Sequence, residues 1–203
     1  MKLILPLLAL VASSAFPLGA NVGADLSGIL TFPNNTPSNI DGKLGFGIRA
    51  VPTLELALSD YLALRGTAGY ELTTWGTKSS GDVLGVSYSS DSSVVSQFLT
   101  FGVAGEVYIL PGLAFVSVGP SVDIPLHSQY TYKRTLAGLS TTTDGDITGD
   151  QNSVFLDLGA GVQLTPSFGI FGAYRLPMVP YYHRNNETNE LRQISLGLRF
   201  TLL

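Results

Sequence analysis

The chain has 203 residues, of which 13% are charged, about half the share usual in a soluble globular domain, and its mean hydropathy is +0.29. This composition argues against a polar-coated soluble surface. Fifteen Asp and Glu against eleven Lys and Arg give a net charge of −4, leaving no basic field to hold nucleic acid phosphates, and the lack of Cys removes thiolate catalysis, iron–sulfur clusters and Cys-based zinc sites.

The N-terminus reads as a targeting segment. Met1-Lys2 carries one positive charge, Leu3 to Ala12 is a short apolar run, and small residues follow at Ser13, Ser14, Ala15, Gly19 and Ala20. The run is too short to cross a bilayer as a helix and contains Pro6. Cleavage fits after Ala15 or Ala20, and the strand pattern that starts at Asn21 favours Ala20. The expected organisation is a signal peptide over 1–20 and one domain over 21–203.

Eight strands are predicted after it, each with a period of two. In 21–32, Val22, Ala24, Leu26, Leu30 and Phe32 oppose Asn21, Asp25, Ser27 and Thr31. In 43–58, Leu44, Phe46, Ile48, Leu54, Leu56 and Leu58 oppose Arg49, Thr53 and Glu55, with Pro52 marking a bend or bulge. Segment 61–74 sets Leu62, Leu64, Ala68, Tyr70 and Leu72 against Arg65, Thr67 and Glu71, and 97–109 sets Leu99, Phe101, Val103, Val107 and Ile109 against Thr100, Glu106 and Tyr108. In 113–126, Val116, Val118, Val122, Ile124 and Leu126 oppose Ser117, Ser121 and Asp123, and in 153–164 Val154, Leu156, Leu158, Val162 and Leu164 oppose Asp157 and Gln163. Segment 168–181 is less pure, because Phe171 shares the parity of Arg175. In 190–202, Ile194, Leu196, Leu198, Phe200 and Leu202 oppose Gln193, Ser195, Arg199 and Thr201.

Tight turns at Asp60, Pro111 and Pro166 alternate with longer polar segments at 33–42, 75–96, 127–152 and 182–189. This rhythm predicts an all-β chain folded as an eight-stranded antiparallel up-and-down transmembrane barrel. Charge placement sets the faces. Asp25, Arg49, Glu55, Arg65, Glu71, Glu106, Asp123, Asp157, Arg175 and Arg199 all fall on the polar parity, whose other residues are mostly Gly, Ser, Ala and Thr. A narrow lumen needs such small residues around a few long ones, whereas Arg or Lys facing lipid at midplane costs about 2–4 kcal/mol. Tyr130, Tyr132, Tyr181, Tyr182 and Trp75 at one end, and Tyr61 and Phe168 at the other, are placed as aromatic girdles.

The signal peptide, the eight hairpin-linked strands and the alternating C-terminal strand ISLGLRFTLL resemble the small outer-membrane barrels of the OmpA and OmpX type over 21–203. The resemblance implies outer-membrane localisation in a Gram-negative-type envelope and insertion by the barrel-assembly machinery. It also implies membrane lipid and lipopolysaccharide as surroundings, and a monomeric state.

Four chemistries compete on the remaining residues. The ten lumen charges are expected to form an ion-pair plug, with a weakly cation-preferring path as the alternative. A lipid A-modifying enzyme of this size would need a His–Ser–acid group. His127 and His183 both fall at long-loop ends; His127 and Ser128 are chain neighbours that point to opposite faces of a strand, and nothing marks a conceivable partner such as Ser121 or Asp123, so no catalytic residue is assigned. Asp144, Asp146 and Asp150 lack the closing Glu of a calcium loop, and the Gly-rich pieces precede no helix, so neither metal nor cofactor is expected. Specificity is expected in the long polar segments, with Trp75, Tyr88, Tyr130, Tyr132, Lys133 and Arg134 as exposed candidate binding residues. The expected function is structural or surface-interacting, ahead of a small-solute pore. A soluble lipocalin-like carrier is the minor fold alternative.

Overall fold

A computed structural model describes residues 19–34, 40–83, 85–147, 152–179, 182–184 and 187–202, so the expected signal peptide lies almost wholly outside the described residues. The described chain is strand throughout: β1 (Ala20–Asn34), β2 (Ile40–Lys43), β3 (Gly45–Ala57), β4 (Leu62–Val83), β5 (Val86–Leu110), β6 (Ala114–Leu136), β7 (Leu139–Asp146), β8 (Ser153–Thr165), β9 (Phe168–Val179), β10 (Tyr182–Arg184) and β11 (Glu187–Leu202). Eight of them form a ring, β1-β3-β4-β5-β6-β8-β9-β11, and β1 pairs with β11 from Val22↔Leu202 to Asn34↔Glu190 to close it. Every pairing is antiparallel, so this is the up-and-down barrel that the alternation predicts.

The period of two decides what each face meets. Outward residues from 22–32, 44–58, 62–74, 95–109, 114–126, 154–164, 168–178 and 194–202 include no Asp, Glu, Lys or Arg. Many are large and exposed, among them Phe46 at 61%, Phe101 at 43% and Leu196 at 73%. A wide apolar band around a closed ring, with charge held inside, is the arrangement of a barrel that spans a membrane, since closure leaves no strand edge in hydrocarbon. Arg192 is the outward charge nearest this band; it is exposed opposite Phe32 at the rim.

The wall is not level. Strands β4, β5 and β6 hold 22, 25 and 23 residues, whereas β8 and β9 hold 13 and 12. The segments 75–96 and 127–152, expected as long loops, largely continue as strand: β4 and β5 pair to Val83↔Val86, and β6 turns into β7 at Leu136↔Leu139. With β2 on β4, a sheet ordered β2-β4-β5-β6-β7 rises above one side of the barrel. At about 3.4 Å per residue and a tilt of about 40°, β5 rises roughly 60 Å against an apolar band of about 25 Å.

Candidate functional site: the lumen and the protruding sheet

Register places four acids directly across from four arginines: Asp25 opposite Arg199, Glu55 opposite Arg65, Glu71 opposite Arg49, and Asp157 opposite Arg175. Two clusters result. In the one nearer the tall sheet, Arg175 is wholly buried and its guanidinium takes Asp123 through both oxygens at 2.9 Å, Asp157 at 3.0 Å and Glu71 at 3.1 Å. Arg49 donates to the same Glu71 oxygen at 2.7 and 2.9 Å, and the Gln193 amide bridges Glu71 and Arg175. Ser121 accepts a further Arg175 N–H at 2.8 Å. Such planar, multiply bonded guanidinium contacts are what make a buried charge tolerable.

In the cluster nearer the short turns, Arg199 grips Glu106 with both terminal nitrogens at 2.8 and 3.1 Å, and Arg65 donates to Asp25 at 2.7 Å. Glu55 lies 3.6 Å from Arg65 and accepts from the Tyr108 hydroxyl at 3.3 Å. Each cluster thus sets two arginines against three carboxylates. All ten lumen charges named from the sequence lie inside the ring.

The lumen is also more aromatic than the sequence reading expects. Phe155 lies under Arg175 at 4.2 Å and Phe115 under Arg199 at 3.9 Å, so each central guanidinium is stacked as well as paired. The signal was present: Phe115 and Phe155 share the parity of Ser117 and Asp157. Gln193 and Ser121 are inward by the same rule, but nothing in the sequence distinguishes them from other polar lumen residues as bridging groups.

Trp75 needs correction. It is 8% exposed and packs with Val94, Phe98 and Leu191, with Tyr130 and Ile147 against them, as an apolar stopper at the tall-sheet end of the lumen. The reason is register: β4 continues without a break, so Trp75 keeps the inward parity of Glu71 and Thr73 and belongs to neither a loop nor a girdle. Tyr130 is likewise inward. Tyr181 lies outside the described residues, as does the side chain of Tyr182.

The other candidate binding residues occupy two faces of the protruding sheet. Tyr88 and Tyr130 lie on the inner face across from Gly81 and Gly145, where their rings fill the space a side chain would take, and Tyr132 and Arg134 are exposed on the same face. Lys133 points the other way. It heads a row, Lys133–Asp91–Lys78–Asp41, whose charges alternate strand by strand, and Lys43 forms an ion pair with Asp91. His127 is exposed on this outer face, 3.9 Å from Asp146, whereas Ser128 is buried on the inner one, so the two do not meet. Asp150 and the His183 side chain are outside the described residues.

No family model and no curated protein matches the sequence. Solved structures with a similar course include the attachment invasion locus protein Ail of Yersinia pestis, 11% identical over 90% of this chain and 99% of that one, with a TM-score of 0.41. The neisserial surface protein NspA is 14% identical over 91% and 99%, with a TM-score of 0.42. The outer membrane protease OmpT of Escherichia coli is 10% identical over 93% and 99%, with a TM-score of 0.44. The closed ring, the apolar exterior and the paired lumen charges of this chain make it, on its own geometry, an eight-stranded transmembrane β-barrel.

Proposed function

We propose that the protein is an outer-membrane barrel with a closed lumen and no catalytic role, acting as a surface-interaction protein through its protruding sheet. One observation carries this reading: the strands that rise from the membrane stay paired as a sheet, and β7, among the described residues, pairs with β6 alone. Its other edge offers backbone N–H and C=O groups to a partner, and the adjoining inner face offers Tyr88, Tyr132 and Arg134. The two ion-pair clusters and the Trp75 stopper support a lumen that holds the barrel rigid rather than conducting. On this reading the leader at 1–20 directs export, the barrel-assembly machinery inserts the chain, and the monomer sits among lipopolysaccharide with its tall side outward.

Excision of residues 130–145, rejoined through a short turn, tests the surface role. Binding of cells to host surface, phage or lipopolysaccharide is expected to fall while the boiled-versus-unboiled gel shift of a folded barrel persists. Unchanged binding in all three assays would refute it. Planar-bilayer recording of the refolded protein is expected to be silent. Discrete cation-selective steps that vanish in Glu106→Gln would instead establish the pore.

A further inference from the structure

Two prolines interrupt the barrel wall within its membrane-spanning height. The β3–β4 ladder passes from Ala50↔Tyr70 to Thr53↔Thr67 with no change of register, leaving Val51 and Pro52 unpaired against Gly69 and Ala68. The β5–β6 ladder passes from Gly102↔Ser121 to Gly105↔Val118 in the same way, leaving Val103 and Ala104 unpaired against Pro120 and Gly119. Proline brings no N–H to either seam, and hydrocarbon has no water to replace it. On the lumen side the two seams differ: the buried Val51 side chain covers the β3–β4 seam beside Gly69, whereas the β5–β6 seam carries only Ala104 and Gly119, and a Cβ at Gly119 would lie 2.0 Å from the Val103 carbonyl oxygen. At the Pro120 seam the wall is little more than one backbone thick.

Spaces lie on both sides of it. Outside, a groove of about 670 Å³ runs over β4 and β5 between the two prolines, lined by Leu54, Gly66, Ala68 and Phe101. Inside, a cavity of about 90 Å³ touches Arg65 and Arg199. Groove and cavity share Thr67 and Ser121. The Nε–H groups of Arg65 and Arg199 are buried and make no hydrogen bond, that of Arg199 lying 3.8 Å from the Asp25 carboxylate.

We propose that this stretch of wall is a lateral portal and binding site for a single-chain amphiphile with an uncharged oxygen head. The hydrocarbon tail lies in the apolar groove, and the head passes the Pro120 seam to accept from the Nε–H groups of Arg65 and Arg199. The prolines' strands stand three strand spacings apart, roughly 14 Å, which after side chains leaves width for one chain. The head is uncharged because Asp25, Glu55 and Glu106 already outnumber Arg65 and Arg199, so a carboxylate would meet net negative charge.

The test is photolabelling of the refolded full-length mature barrel in lipid bilayers with a diazirine-bearing dodecanol, followed by mass mapping. Label is expected on Leu54 and Phe101 outside and on Ser117 and Phe171, which line the cavity but not the groove, inside. The variant P52A/P120A returns both N–H groups to the ladders, and lumen-side label is expected to drop roughly tenfold as opening becomes rarer, with the gel shift intact. Label confined to outward residues in the parent protein, or lumen-side label unchanged in the variant, would overturn the portal. A two-chain diazirine phospholipid is expected to spare Ser117 and Phe171, and equal lumen-side labelling by it would overturn the single-chain assignment.

Discussion

Arg175 is the side chain on which the most lumen contacts converge, holding Asp123, Asp157 and Glu71 while stacked on Phe155. Removing one member of a buried ion group leaves the others charged and unpaired, a loss of about 3–5 kcal/mol. Arg175→Ala is therefore expected to fold with a urea midpoint far below that of the parent barrel, read by loss of the unboiled gel form. An unchanged midpoint would show that water or Arg49 replaces the guanidinium. At this scale much was legible: parity alone names the inward charges, because a strand residue has only two directions. Which acid meets which base was not, since that depends on the register between strands. Trp75 was misread because Gly76, Thr77, Lys78, Ser79 and Ser80 beyond it are small or polar on both parities, which is what a sheet wetted on both faces requires.

At the level of elements, the tall hairpins turn on left-handed residues. The β6–β7 turn places Ala137 at φ 49° and Gly138 at φ 84°, the two-residue geometry that favours Asn or Gly at both positions. An alanine there carries strain of about 1 kcal/mol. Ala137→Gly is expected to tighten the hairpin, seen as slower cleavage at the tip by an added protease; faster cleavage would place the strain elsewhere. The sequence signalled the short turns through Asp60, Pro111 and Pro166, each a turn former at a tight connection. It did not signal β7, whose residues Ser140 to Asp146 are polar throughout and hold their place by pairing with β6 rather than by burying a face.

For the molecule as a whole, the ring is specified by which face meets hydrocarbon. Leu196, 73% exposed at the centre of β11, faces lipid, and Arg in its place is expected to cost about 2–4 kcal/mol and to lower the refolded yield in bilayers, whereas Ser195→Ala, on the lumen side of the same strand, should leave the yield nearly unchanged. Equal yields would argue against membrane burial of β11. The pairing of β1 with β11 joins residues from opposite ends of the chain, such as Val22 and Leu202, whereas the β4–β5 hairpin joins near neighbours. Loop-closure entropy therefore favours the hairpin forming early, and the terminal seam is expected to close last, after the rate-limiting barrier. Substitutions in the seam, such as Ser27→Ala, should then speed unfolding and leave the refolding rate nearly untouched, while Thr77→Ala, which removes the Thr77–Ser92 bond across the β4–β5 hairpin, is expected to slow refolding. Until that seam shuts, the partly folded chain carries two open edges of strand, and the lifetime of that state governs how readily it aggregates or mispairs with a second copy.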